Sequence, residues 1–410
     1  MATTGQHPLG EQYAQCTGCA ACAAVCPEHC IRMEPDAEGF LHPQIRTEQC
    51  VDCGRCRQVC PINDPAAVEG CLREPRQVFA AWHLDETIRQ ASSSGGVFTA
   101  LAHAVLGQGG VVVGAAFDEK LTVRHVLIDT IAVLPRLRGS KYVQSEVTPE
   151  LHQSIRDALN AGRAVLFSGT PCQVAGLRRF LGGAREGLIC CGMVCHGVPA
   201  PLLLASYILH KEQPGRRMLQ ISFRDKRNGW KKPVVHEVFQ SGESSTTDYA
   251  WAHPYTAAFL QDCALRECCY CCSYTSTKRS ADLTLGDFWG VGGPYPEYDR
   301  DDKGTSLVLV NTEVGEHWLN ACADELFLGP AAIGAALPRN PMLTRPAERP
   351  STRDDFYKDL REMDFPRIVR RYGLHLPPLW RRMARLAKRK TKRLIRRIGR
   401  TLRCVAGGAP

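Results

Sequence analysis

Apolar and polar positions change character along the chain, and the changes mark out regions. From about 11 to 65, apolar residues are sparse and scattered among cysteines, so this stretch cannot bury much core and must be held by metal. From about 76 to 330, short apolar runs alternate with helix-spaced segments. Ser92-Ser93-Ser94-Gly95-Gly96 precedes a helical stretch through Leu101 and Val105, closed by Gly107. Gly109-Gly110 opens a strand at Val111-Val112-Val113, and a second run, Val123 to Ile128, follows the turn around Asp118-Glu119-Lys120. Thr148-Pro149-Glu150 starts a helix with Pro at its first position, ending near Gly162. Ala164 to Phe167 reads as a buried strand, the next helix starts near Gln173, and Leu188 to Val194 is the next strand. Alternation at this spacing predicts an α/β body with a parallel or mixed sheet. From 331 to 380 the chain is Pro-rich and irregular, with short helical pieces such as Phe356 to Met363.

Composition narrows the class. The chain is 44% hydrophobic and 23% charged, which excludes disorder and collagen for its body. No apolar run reaches the roughly 18 residues of a membrane span. Met1 to Glu11 has neither a basic start nor an apolar core, so no secretory signal is expected. Twenty-one cysteines then argue for metal binding in a reducing cytosol rather than for disulfides. The net charge of +9 comes from one place: Arg381 to Arg403 holds 12 Lys/Arg and no acid, and without them the rest carries −3. A nucleic-acid-binding core is therefore not expected. The tail over 381–410, with Met383, Leu386, Leu394, Ile395, Ile398 and Leu402 at partly helical spacing, suits a solvated segment, a segment that docks an acidic partner or binds nucleic acid nonspecifically, or a helix on an anionic membrane surface. The last would place the protein at the inner face of the membrane.

Two cysteine runs carry the clearest chemistry. Cys16, Cys19, Cys22 and Cys26-Pro27 repeat as Cys50, Cys53, Cys56 and Cys60-Pro61. This is the bacterial two-cluster ferredoxin spacing, in which the fourth cysteine of each run crosses to the other cluster. One 4Fe-4S cluster is thus assigned to Cys16, Cys19, Cys22 and Cys60, the other to Cys50, Cys53, Cys56 and Cys26. Zinc is the alternative for CxxC pairs, but it does not need two intact four-cysteine runs with their prolines. Cys30 and Cys71 are left as buried or surface thiols. In the body, Cys172 stands where a strand turns into a helix, Cys195 follows the next strand, and Cys268-Cys269-Tyr270-Cys271-Cys272 comes later. Consecutive strand ends of an open α/β sheet face one crevice, so Cys172 and Cys195 can share a site completed by a CxxC pair.

Further motifs make the body recognisable. Ser92 to Gly96, Gly139-Ser140-Lys141-Tyr142-Val143-Gln144-Ser145, Gly169-Thr170-Pro171-Cys172-Gln173, Cys195-His196-Gly197, Phe223-Arg224-Asp225-Lys226 with Gly229-Trp230, and Asp282 to Gly290 all fit one family. The chain resembles the beta-subunit family of coenzyme F420 hydrogenases and dehydrogenases, to which 7-hydroxymethyl and divinyl chlorophyllide reductases are similar. The resemblance covers roughly 11 to 330. It implies FAD and a third 4Fe-4S cluster, held in the body by Cys172, Cys195, Cys269 and Cys272. The family's Leu-Arg-x-x-Cys-Tyr-x-Cys pattern falls there on Leu265, Arg266, Cys269, Tyr270 and Cys272. Cys268 with Cys271 is a second CxxC register, and structural zinc is a second chemistry.

The domain order expected is a two-cluster ferredoxin-like domain (11–65), a region of the beta-subunit N-terminal type (76–160), a C-terminal-type region with FAD and the third cluster (161–330), the irregular segment (331–380) and the basic tail (381–410). No GxGxxG links a strand to a helix, so a conventional Rossmann site is not expected. Flavin contacts are instead expected from Ser93, Ser94, Gly95 and Gly96, from Ser140, Lys141, Tyr142, Gln144 and Ser145, and from Gly169, Thr170, Pro171 and Gln173. Backbone donors before a helix and the Lys141 charge would serve the diphosphate. His196 reads as a proton donor, a hydrogen-bond partner of the cluster, or a core residue. Arg224, Lys226 and Trp230 read as a clamp on an acidic or aromatic substrate, or as surface salt bridges. His196 and Lys226 are the catalytic candidates. The function expected is an oxidoreductase moving electrons between clusters and FAD and on to a deazaflavin or a redox partner protein. A ferredoxin-dependent reductase of an organic substrate and an electron relay are the alternatives.

Overall fold

The most apolar short runs form the middle of the main sheet. In the computed structural model, which describes residues 10–248 and 252–374, the strands are β1 (Ile31–Pro35), β2 (Leu41–Ile45), β3 (Gln77–His83), β4 (Val111–Phe117), β5 (Val123–Ile128), β6 (Val165–Gly169), β7 (Leu188–Met193), β8 (Met218–Asp225), β9 (Val234–Phe239), β10 (Ser244–Asp248), β11 (Leu283–Asp287), β12 (Ser306–Val310) and β13 (Leu326–Pro330). Eight of them form a sheet in the order β13-β3-β12-β11-β7-β6-β4-β5. The four central strands β11, β7, β6 and β4 run parallel, and β5, β12, β3 and β13 are added antiparallel. The sheet is therefore mixed, with a parallel centre.

Covered strands read as continuous apolar runs because both faces are buried. Val165 and Phe167 of β6 enter one core while Leu166 enters the other, and Cys190 and Cys191 of β7 divide the same way. Those two cysteines are small core residues, not ligands. One face is covered by the helices Pro149–Asn160 and Pro171–Leu181, the other by Val97–Gly107 and Glu313–Asn320. Thr148 caps the first of these as its sequence suggests, its hydroxyl accepting from Leu151 N–H at 3.2 Å.

The antiparallel sheet β10-β9-β8 was not visible in the pattern of the chain. It shares a core with the helices Pro201–Lys211 and Pro254–Leu260 and with Phe356, Tyr357, Phe365 and Ile368 from the Pro-rich segment. That segment is thus partly ordered packing. The basic tail at 381–410 and the last residues of 331–380 lie outside the described residues. No helix among the described residues is long and apolar enough to cross a membrane.

The cysteine-rich segment is not held by metal alone. Its helix Ala21–Ala24 is buried in the same core as Leu151, Ile155 and Phe180 of the body. Arg353 reaches back from the C-terminal helices to Glu38 between β1 and β2, with Nη1 to Oε1 at 2.6 Å.

Candidate metal centres and cofactor site

The doubled cysteine run folds as a doubled turn. Gly18, one residue before Cys19, has φ +70°, and its counterpart Asp52, before Cys53, has φ +47°. Ala20 after Cys19 has φ +61°, and Gly54 after Cys53 has φ +70°. Non-glycine residues enter this left-handed region rarely and at a cost. Each run carries one of them, Ala20 in the first and Asp52 in the second, opposite a glycine in the other run, so both loops take the same turn whichever residue stands there. A short helix follows each, Ala21–Ala24 and Arg55–Val59.

The thiols of the two runs act on one another. Burial pushes the Cys22 thiol well above its ordinary pKa, and Cys19, Cys16 and Cys60 add to the effect. Burial likewise lifts Cys19 to about 12, with Cys60 and Cys16 contributing. A cavity among Cys16, Cys19, Cys22 and Cys60 is lined otherwise by apolar groups such as Ala20, Met33, Pro43 and Ile62. Cys56, raised first by burial, is further raised by Cys26 and Cys50. Such thiols must lose their protons to bind metal, so the metal supplies what holds four negative sulfurs together. The donor sets fit soft, sulfur-liganded iron.

The two sets differ in access. In the inner set Cys16 and Cys22 are buried; in the outer set Cys26 is buried while Cys50 and Cys53 are exposed. The outer set therefore has an open side at Cys50 and Cys53. Cys30 is buried with its Sγ 3.4 Å from Cys26 Sγ, a fifth thiol at the outer set. Cys71 is exposed.

In the body, the ends of β6 and β7 place Cys172 and Cys195 side by side. Cys172 is the second residue of the helix Pro171–Leu181. There Gln173 Oε1 accepts from the Thr170 N–H and hydroxyl, both at 3.0 Å, and Thr170 Oγ1 lies 3.1 Å from Cys172 Sγ. Burial pushes Cys172 up to about 12, and Cys272 and then Cys268 contribute. Cys195 is pushed up to about 12 by burial, then by Cys172 and Cys272, with the Arg279 guanidinium opposing. Cys172, Cys195 and Cys272 therefore form one group. Cys268 and Cys269 lie thiol to thiol. Cys268 bears on Cys172 and Cys272, whereas Cys269 packs beside the Cys195 loop, its Cβ 3.3 Å from where a Gly197 side chain would begin. Cys271 is exposed.

Four residues at this junction were not singled out by sequence. Gly176, in mid-helix, leaves space that Cys19 fills: a Cβ there would lie 2.6 Å from Cys19 Cβ and 2.7 Å from its Sγ. Arg279 donates to the carbonyls of Tyr274, Ser276 and Met193 and places its charge beside Cys195 and Cys272. Tyr274 packs on Cys172 and Cys272. Arg266, quoted only as part of the family pattern, is 2% exposed and bonds Cys16 O at 2.6 Å, Leu41 O at 2.9 Å and His42 Nε2 at 2.9 Å. It ties the body loop to the inner thiol set. Arg266→Leu would strand two carbonyls at about 1–3 kcal/mol each. We expect a lower thermal midpoint with early release of the inner set's iron, followed by iron absorbance during melting; an unchanged midpoint would contradict this.

The remaining motifs converge on a second place. Arg224 pairs with Asp287 through Nη1 at 2.9 Å and Nη2 at 3.3 Å, and also bonds Tyr142 OH at 3.2 Å. Trp230 Nε1 donates to Asp287 at 2.7 Å, and its ring stacks on Trp289 with centroids 4.6 Å apart. Ser93 Oγ accepts from Ser140 N–H at 2.7 Å and lies 2.9 Å from Ser140 Oγ. Around this cluster, several expected contact groups are spent on the protein itself. Ser94 Oγ donates to Thr305 O at 3.0 Å, and Gly95 N–H to Ser306 Oγ at 2.9 Å. Gly96 takes φ +95° before the helix Val97–Gly107. Lys141 Nζ serves Arg138 O at 2.8 Å and Arg136 O at 3.1 Å. Gln144 accepts from Leu41 N–H at 3.1 Å, joining the ferredoxin segment. Ser145 Oγ lies 2.8 Å from His125 Nδ1, and its carbonyl accepts from Gln173 Nε2 at 3.3 Å. Gly169 and Pro171 bracket the turn into the Cys172 helix.

Lys226 is correspondingly engaged within the protein. It is 3% exposed and donates to Arg89 O at 2.5 Å, Lys303 O at 2.6 Å and Ser94 O at 2.7 Å. Burial pushes its pKa down to about 7, but three carbonyl acceptors match three ammonium protons, so the charged form fits. Its work is to hold the Ser93–Gly96 loop. Arg224 and Trp230 likewise form internal bonds, not surface salt bridges. His196 pairs with Asp262 (Nε2 to Oδ1, 2.5 Å) and lies edge-on to Phe259. It is half-buried, and its ring belongs to the Cys195 loop.

Comparisons with known proteins follow this division. The family model "4Fe-4S dicluster domain" matches residues 15–63. Two further models describe the "Coenzyme F420 hydrogenase/dehydrogenase, beta subunit". The model of its N-terminal part matches 78–151, and the model of its C-terminal part matches 162–332. Together these two span more than half of the chain. Among solved structures, the chain is similar to one from the F420-reducing [NiFe] hydrogenase complex of Methanosarcina barkeri. That match has 19% identity over 71% of this chain and 89% of that chain, with a TM-score of 0.45. The comparison with curated proteins gave no match.

Proposed function

Since this chain belongs to the coenzyme F420 hydrogenase/dehydrogenase beta-subunit family, we propose that it is an iron–sulfur flavoprotein that exchanges electrons between a partner protein and a deazaflavin such as coenzyme F420. The coarser statement, an iron–sulfur electron-transfer subunit of this oxidoreductase family, is secure from the matched families. The observation that carries the finer reading is the contact of Cys19 with Gly176. It sets the inner thiol set directly against the helix that begins at Cys172.

Three 4Fe-4S clusters are proposed. Cys26, Cys50, Cys53 and Cys56 hold the outer one, Cys16, Cys19, Cys22 and Cys60 the inner one. Cys172, Cys195, Cys269 and Cys272 hold the body cluster. FAD is proposed beside the Ser93–Ser140 contact and the Arg224–Asp287–Trp230 group. Ser93, Ser140, Tyr142, Thr170 and Arg224 are the residues proposed to bind it. Flavin exchanges one or two electrons, which lets single-electron clusters serve a hydride-accepting substrate. The protein's own part is to keep this region buried and its charges paired, and to leave Cys50 and Cys53 open to a partner.

Two tests separate the parts of this reading. Cys269→Ser should lose about four of roughly twelve irons while Cys268→Ser keeps them all, and the reverse result would move the ligand to Cys268. Reduced deazaflavin added anaerobically should bleach the flavin absorbance of the purified protein. Reduction only by a protein donor would mean an electron relay without its own small substrate.

A further inference from the structure

Tyr274 lies two residues past Cys272. It is 4% exposed and packs with Ala175 against Cys172 and Cys272. Its carbonyl is fixed by Arg279 Nη1 at 3.0 Å. Its hydroxyl, in contrast, has no hydrogen-bond partner among the described residues. A buried phenol normally finds a partner, and leaving it without one is unfavourable. Phenylalanine would fill the same space without that penalty. Burial raises the hydroxyl's pKa, and the thiols Cys172, Cys19, Cys272 and Cys60 add to this.

We propose that the Tyr274 hydroxyl donates a hydrogen bond to a sulfur of the body cluster and thereby raises that cluster's reduction potential. This rests on the reading that Cys172, Cys195 and Cys272 hold a cluster. The reduced cluster is the more negative form, so a donated hydrogen bond stabilises it more than the oxidised form. Hydrogen bonds to cluster sulfurs are an established lever on potential. Tyr274 is thus a positioning residue that sets the step in potential between the inner cluster and the body cluster.

The test is an EPR-monitored redox titration of the wild-type protein and Tyr274→Phe, with iron counted on the same samples. Both should hold about twelve irons. The body cluster of the variant should be harder to reduce by roughly ten-fold, or about 59 mV for a one-electron couple. The outer cluster should not move. Full iron with three unchanged midpoints would overturn the role of Tyr274 alone. About eight irons in the wild-type protein would instead remove the body cluster, and the proposal with it. Should the variant fail to load, the wild-type protein exchanged into deuterium oxide decides: an exchangeable proton coupled to the body cluster supports the hydrogen bond, and its absence overturns it.

Discussion

Cys172→Ser should yield a folded chain with about eight irons in place of about twelve, and with the ferredoxin signals intact. Serine is close in size to cysteine and can keep the contact with Thr170 Oγ1, now 3.1 Å from Sγ. The helix Pro171–Leu181 retains its start, because Gln173 still accepts from the Thr170 N–H at 3.0 Å. What is lost is one of four soft donors. An alkoxide is a poor substitute for a thiolate, since a serine hydroxyl does not give up its proton as a thiol does. The remaining thiols Cys195 and Cys272, raised by burial, would then have less reason to ionise. Iron and sulfide analysis with EPR of the reduced protein reads the outcome. Retention of all the iron would take Cys172 out of the ligand set.

The second large effect is expected at Gly176. Glycine inside a helix is less stable than alanine by about 1 kcal/mol, so Gly176→Ala would be stabilising on a free surface. Here the added Cβ would meet Cys19 Cβ at 2.6 Å and Sγ at 2.7 Å. The helix cannot retreat, because Val174 and Leu177 beside it are fully buried. Overpacking of this kind costs about 1–3 kcal/mol. The strain falls on a ligand of the inner cluster, so Gly176→Ala should lower the thermal midpoint. It should also cost the inner cluster its iron, leaving about eight. EPR distinguishes this from Cys172→Ser, because a ferredoxin signal disappears instead of the body signal. A variant with full iron and a raised midpoint would show that Cys19 does not rest on this helix.

The parts of this arrangement that were legible in the sequence are those with a local signature. The two cysteine runs mark a two-cluster segment because their spacing is that of the 4Fe-4S dicluster domain matched at 15–63. The runs at β6 and β7 give the sheet centre because burial on both faces keeps Val165 to Phe167 and Leu188 to Cys191 free of charged and strongly polar side chains. Thr148 and Pro149 mark a helix start through a cap that needs only neighbouring residues. Contacts made across the fold left no such trace. Gly176 looks like a weak spot in a helix until Cys19 is placed against it. Lys226 sits in a motif-rich stretch that suggests chemistry, yet its three bonds go to carbonyls of two distant segments, Arg89 and Ser94 on one and Lys303 on the other. Arg279 and Tyr274 follow the cysteine cluster with no spacing to set them apart. The sheet of β8, β9 and β10 was missed although Met218, Ile221 and Phe223 are buried. Register shifts within β8 break the alternation that would have shown it.

Three sulfur-liganded clusters and a flavin are proposed to share one chain. Anaerobic purification followed by iron, sulfide and flavin counting on a single sample tests it most directly. About twelve irons, as many sulfides and one FAD per chain are expected. About eight irons without flavin would contradict the account, leaving a two-cluster ferredoxin segment on a body that holds no cofactor.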